Sequence, residues 1–424
     1  MNEVGAMRVL IIGQGYVGLP LAMRAVEVGH DVVGYELDAS RVKRLLSAET
    51  YVEDVPSEVL ARALTTGRYT PTADDAGCAD FDVAVVTVPT PLREGVPDLS
   101  YIESATVTLA RYLRKGATVI LESTTYPGTT EELVAPLLEE GSGLVAGADF
   151  HLGYSPERID PGNPVWNLVN TPKVVSGIDA ASLAAVQGFY DSVCERTVPV
   201  SGTKEAELTK LLENTFRHVN IALVNELAMF AGDLGIDVWE SIDAASSKPF
   251  GFLRFTPGPG VGGHCLPIDP SYLSWRVRRA LGQPFRFVEL ANDVNDHMPD
   301  YVVRRLVVAL NRTRQAVNGS RVLLLGLAYK ANTGDDRESP AVVVAERLLA
   351  LGAEVRVADP HVSQDHVHGH IERVTVTPEE LAAADAVILL TDHDEFDLDA
   401  VRTHSRYVLD TRHRLEAGEG VEFL

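Results

Sequence analysis

Short runs of apolar and β-branched residues recur along the first 200 positions, each bounded by Gly, Pro or Asp. Continuous runs of this kind, rather than strict alternation, are what a strand covered on both faces requires. Strands are predicted over 7–12, 31–35, 82–88 and 118–122. Roughly 10–20 residues of helix-compatible sequence separate most of them, which implies right-handed βαβ crossovers and a mostly parallel sheet. From 203 to about 234 the pattern becomes one long helix, with Leu208, Leu211, Leu212, Val219, Leu223, Leu227 and Phe230 recurring at spacings of three and four. A Gly- and Pro-rich loop follows at 255–264, then more helix, and the strand rhythm restarts at 321–326 and repeats at 353–358, 386–391 and 406–409. The expected fold is α/β: two Rossmann-like, doubly wound domains over 1–202 and 318–424, joined by the long central helix and a helical middle domain over 203–317. The apolar stripe of the long helix exceeds what one flanking domain would cover, so a homodimer is expected.

The hexapeptide Gly13-Gln14-Gly15-Tyr16-Val17-Gly18 follows the first strand and opens a helix. Its first glycine allows a tight turn, its second lets the backbone approach a pyrophosphate, and its third allows close helix–strand packing. Glycines also serve plain turns, so the context matters. Glu36 ends the second strand, 18 residues after Gly18. A carboxylate there accepts hydrogen bonds from ribose hydroxyls and repels a 2′-phosphate, which favours NAD over NADP.

Composition narrows the picture further. With 37 Lys+Arg against 60 Asp+Glu, the net charge of −23 argues against a nucleic-acid binder or a binder of anionic membranes. A phosphorylated ligand must then be held locally, by backbone amides or a few placed cations. Three scattered cysteines, Cys78, Cys194 and Cys265, suit a reducing compartment better than a disulfide framework. No apolar stretch is long enough to span a bilayer and the first residues lack an export signal, so a cytoplasmic protein is expected.

Cys265 lies in Gly262-Gly263-His264-Cys265-Leu266-Pro267-Ile268-Asp269, where a glycine-rich backbone gives a ligand room to approach a thiol that can act as a thiolate. The ordinary fate of a free cysteine is a small buried hydrophobe, and Cys78 and Cys194 fit that description. Lys210 and Asn214 are four apart on the long helix and share a face. An ammonium there can stabilise developing oxyanion charge, although a solvated helix face presents the same pair. The four histidines His361, His366, His368 and His370 invite a metal reading, but they follow Asp359-Pro360 in an expected solvated loop. No metal is expected there or beside Cys265.

In order along the chain come Gly13-Gln14-Gly15-Tyr16-Val17-Gly18-Leu19-Pro20, Val88-Pro89-Thr90-Pro91 and Glu122-Ser123-Thr124-Thr125-Tyr126-Pro127-Gly128. Ser155-Pro156-Glu157-Arg158-Ile159, Lys210-Leu211-Leu212-Glu213-Asn214, the Cys265 loop and the stretch from Gly326 to Ser339 complete the set. This series resembles the UDP-glucose/GDP-mannose dehydrogenase family of nucleotide-sugar 6-dehydrogenases over nearly the whole chain. The resemblance implies oxidation of a sugar C6 hydroxymethyl group to the carboxylate, with NAD as cofactor and a nucleotide sugar such as a UDP- or dTDP-hexose as substrate. It makes Cys265 the nucleophile that holds a thiohemiacetal and then a thioester. Lys210 and Asn214 then stabilise the oxyanion, Asp269 and Thr124 position water or relay protons, and Glu157 is the acid/base for hydrolysis. Pro89, Thr90, Thr124 and Arg337 join the glycine turn, Tyr16, Val17 and Glu36 on the cofactor side. Arg158, Gly258, Gly260, Gly262, Gly263, Lys330 and Arg412 join Glu157, Lys210 and Asn214 on the substrate side.

The form Pro156-Glu157-Arg158-Ile159-Asp160-Pro161-Gly162-Asn163 departs from the glucose-specific branch and is similar to members acting on N-acetylhexosamine nucleotides. Two other readings compete. A two-electron hydroxyacid dehydrogenase shares the Rossmann-plus-long-helix layout but leaves the Cys265 loop and the second α/β domain unused. A non-catalytic sensor of NAD or sugar nucleotide would have no need of Cys265, Lys210, Asn214 and Asp269.

Overall fold

A computed structural model describes all residues except 1–4, 94, 161–162, 164, 264–265 and 364–370. The chain divides into two compact units. The first comprises Met1–Glu213 with Trp275–Gly282, and the second comprises Asn214–Ser274 with Gln283–Leu424. The helical middle is thus shared: the long helix, Thr203–Ala231, starts in the first unit and ends in the second.

The first unit contains Arg8–Ile12 (β1), Asp31–Tyr35 (β2), Tyr69–Thr72 (β3), Val83–Val86 (β4) and a small antiparallel pair, Leu92–Arg93 (β5) with Val96–Pro97 (β6). Thr118–Leu121 (β7), His151–Tyr154 (β8), Lys173–Gly177 (β9) and Thr197–Pro199 (β10) follow. Eight of these form one sheet in the order β10-β9-β8-β7-β4-β1-β2-β3. Every pairing in it is parallel except β8 with β9. The central strand shows why continuous apolar runs were needed: Val9 and Ile11 enter one buried cluster and Leu10 and Ile12 another. Enclosing each such side chain contributes roughly 1.5–3 kcal/mol.

The second unit repeats the plan with Arg321–Leu325 (β11), Glu354–Ala358 (β12), Glu372–Arg373 (β13), Ala386–Leu389 (β14), Val408–Asp410 (β15) and Val421–Phe423 (β16). They form an all-parallel sheet in the order β13-β12-β11-β14-β15-β16. Val322 and Leu324 again face one cluster, and Leu323 and Leu325 the other. The strands foreseen from sequence are present, with ends shifted by up to two residues. Strands β3, β5, β6, β8, β9, β10, β13 and β16 were not foreseen. Among the described residues, no helix is long and apolar enough to cross a membrane.

Candidate active site

Loops at the carboxyl ends of parallel strands are where such a fold binds ligands, and the first unit's motifs collect there. Gly13 adopts φ +90° and donates its N–H to the Tyr35 carbonyl at 2.8 Å. A Cβ on Gly18 would stand 1.9 Å from the Gly13 carbonyl oxygen, so the helix packs on the turn more closely than any other residue permits. At Gly15 a Cβ would meet no protein atom within 4 Å. Packing within the chain therefore does not explain that glycine, whereas a ligand approaching the backbone does. Helix Gly18–Glu27 has no side-chain cap and no acidic residue in its first turn. Leu19 and Leu21 already donate to the Gly15 and Val17 carbonyls at 3.1 and 3.3 Å and Pro20 has no N–H, so an anionic pyrophosphate would be met by the turn that leads into the helix rather than by its later amides. Tyr16 is exposed and Val17 half-buried at this opening.

Glu36 accepts the N–H of Gln14 at 3.1 Å and that of Asp38 at 3.1 Å, with Arg41 3.8 Å away. The turn, the uncapped helix and this carboxylate fit NAD. Nearby, Ser123 Oγ donates to the Val88 carbonyl at 2.8 Å, which joins the motif containing Pro89 and Thr90 to the one holding Thr124. Pro89 is exposed, Thr90 buried and Thr124 half-buried.

Glu157 follows β8 and is 8 % exposed. Its Oε1 accepts the Ile159 N–H at 2.5 Å, while Oε2 is enclosed without a hydrogen-bond partner. Burial alone raises a carboxyl pKa, but here Lys173, then Lys210 and the Ile159 N–H outweigh it and hold Glu157 below the usual value. Lys210, foreseen as a cation on the long helix, is itself only 7 % exposed, so it is not part of a solvated face. Arg158, the next residue, is occupied structurally: Nε and Nη2 bind Glu213 at 3.2 and 2.6 Å, and Nη1 binds the Pro172 carbonyl at 2.6 Å.

In the second unit Asn214 Nδ2 donates to Asp269 Oδ2 at 2.6 Å, which brings two of the expected residues together. Asp269 is buried and begins helix Asp269–Leu281. Gly263 adopts φ +84° and donates to the Arg337 carbonyl at 3.0 Å, and Cβ atoms at Gly262 or Gly263 would come within 2.8 Å of Tyr329. His264 and Cys265 lie outside the described residues, so the structure fixes the flank of that loop and not its thiol. Gly258 donates to Asn225 Oδ1 at 2.9 Å, and Arg412 Nη1 would lie 3.1 Å from a Cβ on Gly258. Gly260 packs against Pro340. Arg412 Nε donates to the Leu390 carbonyl at 2.7 Å. Lys330 is half-buried, whereas Arg337 is exposed and held by Asp335 through two bonds of 2.8 and 2.6 Å.

Two features do not take the role their residue types suggest. His361, His393 and Glu395 bring ligand atoms within 4.8 Å of one another. Yet His393 Nδ1 accepts the Asn332 N–H at 3.0 Å and its Nε2 is paired with Asp359 at 3.0 Å, so neither nitrogen is open to a metal. His366, His368 and His370 lie outside the described residues. Cys78 and Cys194 are buried, and burial pushes their thiols up to about 12 and about 11, far from a reactive thiolate.

Three buried charged residues were missed. Glu122 and Lys173 form an enclosed ion pair beside Glu157. Glu207 accepts the N–H groups of Gly128 and Thr130 at 2.5 and 2.9 Å and the Thr130 hydroxyl at 2.7 Å, tying the Thr124 motif to the long helix one turn before Lys210. Burial raises Glu207 to about 7. Its spacing of three from Lys210 was the available signal.

Comparison with known proteins agrees with these motifs. Models of the UDP-glucose/GDP-mannose dehydrogenase family match in chain order: the NAD binding domain over residues 7–194, the central domain over 204–297 and the UDP binding domain over 323–417. A UDP-N-acetyl-D-mannosamine dehydrogenase of Pyrococcus horikoshii is 37 % identical over 391 residues, covering 92 % of this chain and 90 % of that protein. A UDP-N-acetyl-D-glucosamine 6-dehydrogenase of Pseudomonas aeruginosa is 38 % identical over 395 residues, covering 92 % and 91 %. A solved UDP-D-N-acetylmannosamine dehydrogenase structure from Pyrococcus horikoshii superposes with a TM-score of 0.89 at 34 % identity, covering 98 % of both chains. With three domain models matched in order and relatives aligned along almost their whole length, the chain belongs to the UDP-glucose/GDP-mannose dehydrogenase family, NAD-dependent dehydrogenases of nucleotide sugars.

Proposed function

We propose that this protein oxidises C6 of a UDP-N-acetylhexosamine from the alcohol to the carboxylate. The observation that carries the reading is Glu157: a buried carboxylate in the Pro-Glu-Arg-Ile motif, held ionised by Lys173 and Lys210, with one oxygen left open. The N-acetylhexosamine preference is supported by that motif and by the relatives named for UDP-N-acetylmannosamine and UDP-N-acetylglucosamine. NAD+, when bound at the Gly13–Gly18 turn and Glu36, supplies the acceptor for a hydride in each of two oxidations.

The chain's own residues do the rest. Lys210 and Asn214 stabilise the alkoxide before the first oxidation, because fixed positive charge and amide donors outside bulk water lower the energy of developing anions. A bare aldehyde offers no hydride for a second oxidation. Addition of the Cys265 thiolate forms a C–S bond and converts the aldehyde to a tetrahedral thiohemiacetal that does offer one, and its oxidation leaves a thioester. Glu157 takes a proton from water as the water oxygen attacks the thioester carbon. The C–S bond then breaks to release the carboxylate and restore the thiolate. Asp269, tied to Asn214, and Thr124 position that water. Lys330 and Arg412 bind the diphosphate.

A homodimer accompanies this reading. Leu208, Leu212, Phe216, Leu223, Leu227 and Phe230 stand 39–62 % exposed along one helix, an apolar stripe that a second copy would cover.

The test is an NADH assay across UDP-glucose, dTDP-glucose, UDP-N-acetylglucosamine, UDP-N-acetylmannosamine and GDP-mannose. Turnover of an N-acetylhexosamine nucleotide with two NADH per acid is expected, and one NADH per acid rejects the four-electron route. Cys265→Ala abolishes complete oxidation while leaving NAD affinity unchanged, and undiminished turnover in that variant removes the covalent role.

A further inference from the structure

The antiparallel strand of the first sheet has a chemical consequence. Strands β7 and β8 run parallel, so Glu122 and Glu157 both emerge at their carboxyl ends. Because β9 runs the other way, its first residue, Lys173, arrives at that same end. The pairing sets Gly153 opposite Gly177 and Tyr154 opposite Ser176, and the same register continued by three residues sets Glu157 opposite Lys173. Ser155 Oγ, bonded to the Val174 carbonyl at 2.7 Å, holds that continuation.

The lysine is 4 % exposed, which is unusual unless its charge is matched. It contacts Glu122 directly, stands 3.8 Å from Glu157 Oε2 and lies 5.0 Å from the Tyr190 ring centre. Tyr190 in turn donates its hydroxyl to the other oxygen of Glu122 at 2.5 Å. The two carboxylates flanking the lysine are not equivalent. Glu122 has both oxygens engaged, by ammonium and by phenol, and burial pushes it up to about 7. Glu157 has one oxygen tied to a backbone N–H and the other facing an ammonium at a distance that attracts without donating a proton. An enclosed carboxylate with no such neighbour would hold its own proton at neutral pH and fail as a base.

We infer that Lys173, anchored by Glu122 and Tyr190, is a positioning residue for Glu157: its enclosed ammonium keeps the buried carboxylate charged and leaves Oε2 free to accept a proton. This rests on the hydrolytic role proposed for Glu157. The charged and titratable groups acting on Glu157 are Lys173 on β9, Glu122 directly after β7, Lys210 on the long helix and the Cys194 thiol. Cys194 and Tyr190 act on the lysine and on Glu122.

The experiment reads ionisation and chemistry separately. In protein labelled with carboxyl-13C glutamate, the NMR signal missing from Glu157→Gln belongs to Glu157. In Lys173→Met its titration midpoint rises by about one pH unit or more, and its ionised fraction below the midpoint falls roughly tenfold. Lys173→Arg keeps the wild-type midpoint within a few tenths of a unit. If Lys173→Met fails to fold because Glu122 is left buried without a cation, the double variant E122Q/K173M removes that orphan and shows the same rise. An unchanged midpoint in whichever variant folds overturns the inference. The second arm uses UDP-N-acetylmannosamine and mass spectrometry of quenched enzyme: Glu157→Gln accumulates the acyl adduct at every pH, whereas Lys173→Met accumulates it at about pH 5 and drains it at about pH 8.5. A shifted midpoint without adduct in Glu157→Gln removes the hydrolytic reading and leaves the positioning intact. Adduct in Glu157→Gln with an unshifted midpoint in Lys173→Met does the reverse.

Discussion

The two Rossmann-type halves build the same first turn and use it in opposite ways. Gly13 and Gly326 adopt φ +90° and +91°, and each donates its N–H to the last residue of the next strand, Tyr35 or Ala358, at 2.8 Å. Asp82 and Asp385 both accept the N–H that opens the central strand, at 2.8 and 2.9 Å. The difference begins with the acid after the second strand. Glu36 reaches out of its turn and accepts one N–H from the glycine loop. Asp359, one methylene shorter, is drawn inside: it accepts N–H groups from Leu327, Ala328, His361 and Val362 at 2.6–3.0 Å, pairs with His393 and has no exposed side-chain surface. The helices differ to match. Gly18 begins its helix uncapped straight after the turn, while thirteen residues separate Gly326 from helix Pro340–Ala350, which Ser339 caps. One half offers a carboxylate and a helix start without a side-chain cap to a dinucleotide. The other has closed both and carries Lys330 in the intervening loop, consistent with its match to the family's UDP binding domain.

If that contrast is right, the largest effect belongs to Asp359→Asn. Removing the charge weakens five hydrogen bonds in an enclosed turn, and a loss of about 3 kcal/mol is expected. Burial alone would raise Asp359, but the His393 ring and the surrounding N–H groups hold it well below the usual carboxylate range. Its contribution is therefore complete above the unfolded value of about 4 and is lost progressively as pH falls from there toward the folded value. Urea denaturation at pH 7 shows the full gap between wild type and variant, and the gap narrows below pH 4. A gap that is constant with pH contradicts a charged Asp359.

A smaller effect is expected from making the first turn resemble the second. Gln14 is fully buried: its Nε2 donates to the Ile11 carbonyl at 2.9 Å and its Oε1 accepts the Tyr69 hydroxyl at 2.7 Å. Leu327 holds the corresponding place after Gly326. Gln14→Leu leaves a buried phenol without an acceptor and lowers stability by about 1–2 kcal/mol. Adding Tyr69→Phe recovers most of that loss, because both partners are then apolar. No recovery in the double variant means that Gln14 acts through the backbone bonds alone.

What the sequence revealed follows the same contrast between local and long-range causes. Strands β1 and β11 were legible because unbroken apolar runs end in a glycine turn, and the order of the motifs followed from the chain itself. His151-Leu152-Gly153-Tyr154 was not legible: four residues with a glycine carry little strand signal, and what makes them a strand is pairing on both sides. The antiparallel β9 went unseen with it, and so did Lys173. Hydropathy places a lysine or glutamate at the surface, and the groups that pair with Glu122, Lys173 and Glu207 are distant in the chain. Lys173 did leave a trace, as a charge leading directly into the apolar run Val174-Val175.

The smallest effect, and the sharpest test of the comparison, is Glu36→Gln. An amide oxygen still accepts the Gln14 N–H, so the turn survives and thermal stability stays within about 0.5 kcal/mol of wild type. What disappears is the charge that would receive the ribose hydroxyls, and a hydrogen bond to a charged group exceeds a neutral one by about 1 kcal/mol. The KM for NAD therefore rises roughly five- to tenfold with kcat little changed, and discrimination against NADP weakens because a 2′-phosphate no longer meets a carboxylate. Arg41, 3.8 Å from that carboxylate, then becomes an available cation for the phosphate. An unchanged KM for both cofactors would place the ribose elsewhere, and Glu36 would then be a structural acid like Asp359, differing from it only in exposure.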